Sequence, residues 1–240
     1  MTTDTMLAKI HLSVDCTVLG FNGNRLEVLL IRRTGEEEGR AFHDMKLPGS
    51  LILRNEELDD AARRVLTELT GLKNIPLQQF RAFGSMDRTK DPKDVHWLEH
   101  AQQAHVERIV TVAYVALVKI GRTITRELEG SEALWMPVDT LPTLAFDHNE
   151  IIASALAHLR TCAITDPSIL YALLPKKFTV SQLRTLYEVV FGTRLDPANF
   201  YKKMTQMPYV VALDEREKGV AHRAARYFRF DKNAYNKTRL

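Results

Sequence analysis

Apolar and polar positions alternate over several segments in the first two thirds of the chain, and this two-residue period predicts β-strands. The longest segments cover residues 10–21 and 108–119, which are rich in Val, Leu, Ala and Thr. Residues 26–33 (LEVLLIRR) predict a further strand, and the turn Asn22-Gly23-Asn24 joins it to the first as a hairpin. Shorter predicted strands cover residues 77–86 and 134–138.

Two helices are predicted among these strands. Asn55 or Glu56 can serve as the N-cap of the first helix, which ends at Gly71. The second helix closes the domain over residues 147–159, with Asp147 as its N-cap. Strands interleaved with one central helix and one closing helix predict an α/β/α sandwich over residues 1–160.

Two segments between the strands lack a clear period. Residues 34–44 (TGEEEGRAFHD) are charged and contain glycine, so they predict a loop. Residues 87–107 are long and polar, and they predict an irregular segment with a short helix near residues 97–103. An irregular segment of this length inside a compact domain is usually either a functional lid or a wrong assignment.

After residues 161–167 the pattern changes from long strands to short helical segments. The predicted helices cover residues 168–174, 179–191 and 196–206, with Thr179 and Asp196 as N-caps and Gly192 as a C-cap. The predicted strands cover residues 209–213 and 222–230, on either side of the charged turn 214–219. Helices followed by a β-hairpin predict a winged helix-turn-helix over residues 161–240, so the fold class is α+β with two domains.

The composition is ordinary for a soluble globular protein, with 45% apolar and 26% charged residues in a chain of 240. No run approaches the roughly 18 apolar residues of a membrane span, and the first residues lack the pattern of a signal peptide. Cys16 and Cys162 show no metal or disulfide spacing. We therefore expect a cytoplasmic protein with no membrane partner.

Charge is distributed unevenly along the chain. The formal net charge is +3, but residues 161–240 contain 14 Lys and Arg against 7 Asp and Glu, a balance of +7, whereas residues 1–160 carry −4. A basic module joined to a mildly acidic body indicates nucleic-acid binding. A basic surface without a partner would give the same balance, so charge alone leaves both interpretations open.

Residues 47–72 (LPGSLILRNEELDDAARRVLTELTGL) have the spacing of a Nudix box, G-x5-E-x7-R-E-U-x-E-E-x-G-U, in which U is a bulky aliphatic residue. The matching positions are Glu56, Arg64, Leu66, Glu68, Gly71 and Leu72. The positions that differ are Ser50, Val65 and Leu69, which replace one Gly and two Glu. The segment therefore resembles the Nudix superfamily, whose box normally holds metal ions against a nucleoside diphosphate.

These departures fall where the chemistry of the box resides. Positions 65, 68 and 69 share a helix face, and in an active Nudix hydrolase that face carries three carboxylates for Mg²⁺ or Mn²⁺. Val65 and Leu69 have no oxygen lone pairs, and they continue an apolar stripe that includes Ala62. We therefore predict a packed helix with no catalytic and no metal-binding residue, in which Glu68 pairs with Arg64. This prediction is compatible with a diphosphate pocket beside the helix.

The predicted helix 196–206 has the place of a recognition helix, whose N-terminal half enters the DNA major groove. Asn can bond adenine, Lys can bond guanine or phosphate, and cations of the hairpin can contact the DNA backbone. The predicted DNA-binding residues are Thr179, Ser181, Asn199, Tyr201, Lys202, Lys203, Lys218, His222, Arg223 and Arg226. Phe200 pairs with Met204 at i+4 and is predicted to be core.

A Nudix-like domain followed by a winged helix resembles one family in particular, the Nudix-related transcriptional regulators of NAD metabolism (NrtR). Beyond the box, the resemblance rests on FGSMDR (83–88), VAYVALV (112–118), LAFDH (144–148) and NFYKKM (199–204), and it covers essentially the whole chain. It implies a bacterial repressor of NAD biosynthesis and salvage genes. Its Nudix domain would bind ADP-ribose or a related nucleotide derived from NAD, and this ligand would release double-stranded operator DNA.

Ligand-binding residues are expected just before the box and at strand ends, where cations and backbone N–H groups suit a diphosphate. Arg32 and Arg33 point to opposite faces of one strand, so only one of them should reach the pocket. The predicted ligand-binding residues are Arg32, Arg33, Lys46, Gly49, Ser50, Glu56, Glu68, Phe83, Asp87, Arg88, Phe146, Asp147 and His148. ADP-ribose is expected as an effector rather than a cofactor, and Mg²⁺ is not expected to be required.

We expect a homodimer on a palindromic operator, because helix-turn-helix proteins usually meet two half-sites with two-fold symmetry. Three other interpretations are open at this point. The chain could be an ADP-ribose pyrophosphatase with residual activity, a Nudix-type regulator of sugar utilisation, or a protein whose winged helix binds another protein.

Overall fold

A computed structural model describes residues 9–37, 39–103, 105–219 and 224–238. The chain divides into two compact units. The first unit comprises Met1–Val18, Val28–Ala116 and Arg122–Ala155. The second unit comprises Leu19–Glu27, Leu117–Gly121 and Leu156–Leu240.

In the described part of the chain, the larger sheet has seven strands. They are β1 (Ile10–Phe21), β2 (Leu26–Glu37), β3 (Arg40–Lys46), β4 (Gly49–Leu51), β5 (Gln78–Phe83), β6 (Arg108–Lys119) and β7 (Ala133–Pro137). Their order is β3-β2-β1-β6-β5, with β4 paired to β1 and β7 paired to β2. β1 and β6 lie inside the sheet and are buried along most of their length. Burial on both faces explains why the sequence of β6 is a nearly continuous apolar run, although β1 keeps the alternation of apolar and polar residues.

The predicted loop at residues 34–44 is wrong. β2 continues to Glu37, and β3 returns antiparallel to it, with pairs from Ile31↔Lys46 to Glu37↔Arg40. β3 is an edge strand, and four of its seven residues are half-buried or buried. A strand at an edge needs no continuous apolar pattern, so its charged sequence is compatible with sheet pairing.

Four helices lie between or after the strands of the larger sheet in the sequence: α1 (Leu58–Thr70), α2 (Pro92–Gln102), α3 (Arg122–Glu127) and α4 (His148–Thr165). The predicted N-cap of α1 is wrong, because Glu57 occupies that position and makes no side-chain cap bond. The predicted end of α1 is confirmed, since Gly71 has the left-handed φ of 76° that closes a helix. α4 extends past the predicted residue 159 to Thr165.

The predicted irregular segment 87–107 is wrong in its first half. A 3₁₀ turn at Met86–Thr89 precedes α2, which begins at Pro92 and is longer than the predicted helix near residues 97–103. Asp91 accepts a hydrogen bond from the Lys93 N–H, and Pro92 has the φ of a first helical position. The Asp-Pro pair therefore marked the start of this helix.

The second unit has the predicted order of helices followed by a hairpin. A 3₁₀ turn at Pro167–Leu173 precedes β8 (Phe178–Thr179), α5 (Val180–Phe191), α6 (Pro197–Thr205), β9 (Val210–Arg216), β10 (Arg226–Phe230) and α7 (Lys232–Thr238). The predicted caps Thr179, Gly192 and Asp196 are confirmed. The three-stranded sheet has the order β8-β10-β9. Its core is aromatic, with Tyr171 stacked on Phe230 at a centroid distance of 4.2 Å.

Candidate functional sites

A small cavity of about 30 Å³, lined by both apolar and charged side chains, lies in the first unit. Six of the predicted ligand-binding residues line it: Lys46, Gly49, Ser50, Arg88, Phe146 and His148. Six further lining residues were not predicted: Ser13, Asp15, Leu51, Trp97, Leu98 and Ile109. Asp15 carried a signal in the sequence, because it is the only carboxylate in the predicted strand 10–21. Trp97 stood in a polar segment, where a large aromatic side chain needs a packing partner.

The strand that carries Gly49 lies beside Asp15 in the sheet. β4 pairs antiparallel with β1, and Gly49 stands opposite Asp15 in that register. A Cβ at position 49 would lie 1.8 Å from Asp15 Oδ1 and 2.9 Å from the carbonyl oxygen of Val14. Only glycine allows this approach, so the Pro48-Gly49 pair at the start of the box shapes the pocket floor.

Asp15 anchors the buried charges of the pocket. Arg88 Nη2 donates to Asp15 Oδ2 at 2.6 Å, and His148 Nε2 lies 3.4 Å from Asp15 Oδ1. His148 Nδ1 accepts a hydrogen bond from the Leu47 N–H at 3.0 Å, which assigns the ring proton to Nε2. Burial by itself would raise the pKa of Asp15, but the neighbouring His148 and Arg88 hold that pKa well below its usual value.

Arg88 is also bound by Asp147, the residue that immediately precedes α4. The side chain predicted as an N-cap therefore serves an ion pair. Burial raises the pKa of Asp147, against the opposing effect of Arg88. Among the described residues, Arg88 Nε and Ser13 Oγ have no hydrogen-bond partner although both are buried. Unsatisfied polar atoms around a cavity indicate a site for a polar ligand.

Lys46 supplies a second cation to the pocket. Its Nζ donates to the carbonyl oxygens of Gly49 at 2.7 Å and Leu47 at 3.2 Å, and it lies 5.6 Å from the ring centroid of Trp97. Burial lowers the pKa of Lys46 to about 8. The amine is therefore mostly protonated at pH 7 and can attract an anion.

Of the neighbours Arg32 and Arg33, Arg33 points inward and Arg32 is exposed. The predicted alternation is thus confirmed, but Arg33 does not line the cavity. It is held by Asp44 through two bonds of 2.7 and 2.6 Å and by Asp94 at 2.5 Å. The Arg33 guanidinium also lies 5.1 Å from the Trp97 ring centroid. Arg33 therefore supports the wall formed by α2.

Three further residues that were predicted to bind the ligand lie outside the cavity: Glu56 and Glu68 of the box, and Phe83 of β5. Glu56 accepts two hydrogen bonds from Arg64, at 2.6 and 2.8 Å. Glu68 accepts from Arg64 Nη1 at 3.1 Å, which confirms the predicted pair. Phe83 is buried against Phe80. These contacts stabilise the fold around α1, and they give neither carboxylate a place in the pocket.

Asp87 also lies outside the cavity, on the exposed 3₁₀ turn before α2, where it is 3.9 Å from Lys90. Asp87 was predicted to bind the ligand together with its neighbour Arg88, but only Arg88 lines the cavity. Successive residues of the turn point in different directions, so Arg88 faces inward and Asp87 faces water.

The face of α1 that would carry metal ligands in an active Nudix hydrolase differs in burial from one residue to the next. Val65 has no exposed surface, Leu69 is half-buried, and the Glu68 side chain is 59% exposed. α1 packs on β1, where the Cys16 thiol lies 3.7 Å from the carbonyl oxygen of Ala62. The described residues contain no group of three or more His, Cys, Asp or Glu side chains arranged to hold a metal ion.

The second unit exposes the predicted recognition helix. Four of its residues are exposed: Asn199, Tyr201, Lys202 and Lys203. Tyr201 has 51% of its surface exposed to solvent. Phe200 and Met204 are buried, as predicted. A helix with one face in the core and an opposite face of amide, phenol and ammonium groups fits a DNA groove.

Thr179 does not fit its predicted role. It is 4% exposed, and its hydroxyl accepts from the Gln182 N–H in a capping box. Ser181, in the first turn of α5, is exposed. Arg226 Nε donates to the Leu213 carbonyl oxygen at 2.7 Å, and Arg226 Nη2 donates to Asp214 at 2.8 Å. Arg226 is therefore engaged within the hairpin.

Lys218 is exposed in the turn between β9 and β10. The predicted wing residues His222 and Arg223 lie outside the described residues. Glu215 and Glu217 lie on the same hairpin, and Glu215 accepts from Lys177 at 2.6 Å. The described part of the wing is therefore of mixed charge.

Comparison with known proteins assigns both parts of the chain. Residues 9–159 match the NUDIX domain, and residues 170–230 match the NrtR DNA-binding winged helix domain. Over 230 residues, the chain is 26% identical to the ADPR responsive transcriptional repressor NtrR of Acinetobacter baylyi. That match covers 94% of this chain and 84% of the relative. The predicted family resemblance and fold class are confirmed.

Solved structures show the same fold. Shewanella oneidensis NrtR complexed with a 27mer DNA has a TM-score of 0.66 and 22% identity, and the match covers 94% of this chain and 95% of that one. A MutT/nudix family protein from Enterococcus faecalis has a TM-score of 0.63 and 26% identity, and the match covers 94% of this chain and 88% of that one.

Within the described residues, none of the helices has both the length and the apolar character needed to span a membrane.

Proposed function

Because the chain belongs to the NUDIX domain family and carries an NrtR DNA-binding winged helix domain at residues 170–230, we propose that it is a ligand-responsive transcriptional repressor. Its second unit binds operator DNA through α6, and its first unit binds ADP-ribose, which releases the operator. The observation that carries this proposal is the presence, in one chain, of a degenerate Nudix box and a winged helix with an exposed recognition face. The relative from Acinetobacter baylyi is named as an ADPR-responsive repressor.

The chemistry of the pocket supports an anionic nucleotide as the effector. Lys46 is a buried cation, and Arg88 presents a buried N–H without a partner among the described residues. A diphosphate is recognised by such donors through charge-assisted hydrogen bonds. Phe146 adds aromatic surface to the same pocket, which suits a nucleobase or ribose.

We further propose that the chain does not hydrolyse its ligand. Val65 is fully buried, and Leu69 offers no oxygen to a metal. The retained Glu56 and Glu68 are both bound by Arg64. This arrangement also counts against a residual pyrophosphatase, because the remaining carboxylates serve a structural network.

The remaining parts of the proposal concern the oligomeric state, the regulated genes, the location and the cofactors. A homodimer presents two recognition helices to a palindromic operator with matching two-fold symmetry. The regulated genes are those of NAD biosynthesis and salvage, and the repressor acts in the cytoplasm. ADP-ribose acts as an effector, and no metal or cofactor is required for release.

The test begins by selecting binding sites for the full chain from a random duplex pool. Fluorescence anisotropy on the selected site is then measured with increasing ADP-ribose, with AMP and ribose 5-phosphate as controls. We expect ADP-ribose to release the DNA and the controls to have little effect. Failure to select any site would refute the repressor, and a site that persists at saturating ADP-ribose would refute the effector.

A further inference from the structure

The pocket is too small for any nucleotide in the state that the structure shows. A cavity of about 30 Å³ holds only one or two water molecules. Sites for small organic ligands usually enclose about 300–1,000 Å³. Ligand entry therefore requires part of the wall to move by a substantial distance.

α2 is the part of the wall that several polar contacts tie to its neighbours. It contributes Trp97 and Leu98 to the cavity lining. Its apolar contacts lie in a cluster of three buried residues, Leu98, Val106 and Ile109, against which Leu51, Trp97 and Phe146 pack. Within residues 92–101 only Asp94 and Leu98 are buried, and a segment with few buried apolar residues has a low free energy of local opening. β1 and β6, by contrast, are buried along most of their length.

Three sets of polar contacts tie α2 to its surroundings. Asp94 accepts from Arg33 Nη2 at 2.5 Å and from the Phe146 N–H at 2.6 Å. Lys93 donates to Asp44 at 2.9 Å. Trp97 Nε1 donates to the carbonyl oxygen of Thr34 at 3.2 Å. All of these contacts attach α2 to the β2–β3 hairpin or to the segment before α4.

The contact at Phe146 has a particular geometry. Phe146 has a φ of 54°, a left-handed conformation that a bulky residue rarely adopts. Asp94 holds the backbone N–H of this residue, and the Phe146 ring lines the cavity. A strained residue persists only where its surroundings hold it, and such residues cluster at ligand clamps and switches. Asp94 thus connects the position of α2 to the shape of the pocket.

We propose that α2 (Pro92–Gln102) is a latched cover over the ligand pocket and that Asp94 is its latch. The ligand gains access when α2 swings away from the hairpin and removes Trp97 from the wall. Asp94 is a positioning residue, because it acts on the ligand through α2 and Phe146. This inference rests on the proposed function, in which the pocket binds ADP-ribose.

The substitution Asp94→Asn tests the latch with little change in volume. The carboxylate accepts from two donors, Arg33 Nη2 and the Phe146 N–H, one on each oxygen. An amide has only one acceptor oxygen, so the substituted side chain must leave one of these donors facing its NH₂ group. Arg33 keeps both bonds to Asp44, so its buried charge stays paired.

Asp91→Asn is the matched control. It removes one negative charge from the same helix, and Asn still caps a helix as well as Asp does. The Asp91 carboxylate accepts from the Lys93 N–H and does not line the cavity. If Asp94→Asn does not fold, Lys93→Met takes its place, because it breaks the separate pair with Asp44 and retains an apolar side chain.

Two measurements are made on the full chain. Hydrogen–deuterium exchange without ligand should show α2 amides exchanging about tenfold faster in Asp94→Asn than in Asp91→Asn, with the strands unchanged, because a weaker latch raises the open fraction. Calorimetric titration with ADP-ribose should give a Kd about tenfold lower for Asp94→Asn, because the apparent Kd scales inversely with the competent fraction. Asp91→Asn should match the wild type.

The possible outcomes separate the two proposals. If exchange in α2 is the same in Asp94→Asn and Asp91→Asn, the latch is refuted. If exchange rises but ADP-ribose binds more weakly, Asp94 is part of the ligand site and the cover is refuted. If neither the wild type nor the variants bind ADP-ribose, the effector assignment fails, and the exchange data still decide whether Asp94 holds α2 closed.

Discussion

Replacing Val65 with glutamate restores one carboxylate of the box, and we expect it to unfold or strongly destabilise the protein. Val65 has no exposed surface and lies on the side of α1 that packs on β1. Burial in apolar surroundings raises the pKa of a carboxyl by about 3 to 5 pH units. Because the folded protein then keeps the carboxyl protonated at neutral pH, the cost is set by the distance of the pH from the unfolded pKa of about 4.3, and at about 1.36 kcal/mol for each pH unit it amounts to roughly 3.5 kcal/mol at pH 7. That is a large part of the stability of a typical domain, about 5–15 kcal/mol.

The sign of the pH dependence follows from the direction of this shift. The folded pKa of the introduced carboxyl would lie above its unfolded value of about 4.3. Both states are protonated below about pH 4, so the ionisation penalty is absent there and grows as pH rises toward the folded pKa. Destabilisation relative to the wild type should therefore be larger at pH 8 than at pH 5. Val65→Gln introduces a side chain of the same size without a charge, and its destabilisation should not depend on pH.

Leu69→Glu provides a second comparison on the same helix. Leu69 is half-buried, so a carboxylate at this position can reach water and should cost about 1 kcal/mol or less, as surface substitutions do. Urea unfolding of the three variants and the wild type at both pH values measures these differences. The reasoning would be overturned by a Val65→Glu protein as stable as Leu69→Glu at pH 8, above all if a variant carrying both Val65→Glu and Leu69→Glu hydrolyses ADP-ribose.

The remaining predictions concern the ligand and the DNA. The wild type with Mg²⁺ or Mn²⁺ should convert no ADP-ribose to AMP; turnover near ~1 s⁻¹, within the ordinary enzyme range, would make it a hydrolase. ADP-ribose affinity should fall as pH rises through about 8, where Lys46 loses its proton because burial has lowered its pKa, and calorimetry on Lys46→Met should show lower affinity without that fall. Lys203→Ala should weaken operator and random DNA alike and flatten log K against log [salt] by about 0.9, as expected for one phosphate contact. Asn199→Ala should lose roughly 1–3 kcal/mol on the operator alone; equal losses on random DNA would exclude base readout.

Local signals in the sequence were sufficient for most elements and for several of their boundaries. Gly71 ends α1 because a left-handed residue closes a helix, and Thr179 with Gln182 caps α5 through bonds within a single turn. The Arg64–Glu68 pair follows from helical spacing alone. The order of helices and hairpin in the second unit identified a winged helix for the same reason. Each of these features depends on residues that are close in sequence.

Other features could be seen only in the tertiary structure, because they depend on register between distant segments. Arg88 and Asp15 are 73 residues apart, and their ion pair forms only when the turn before α2 folds over β1. The contact between Asp94 and Phe146 spans 52 residues in the same way. The sequence pattern predicted Arg88, Lys46 and His148 as ligand-binding residues, but it did not show that they line one cavity with Asp15. The near-closure of the pocket depends on where Trp97 lies, and only long-range packing decides that.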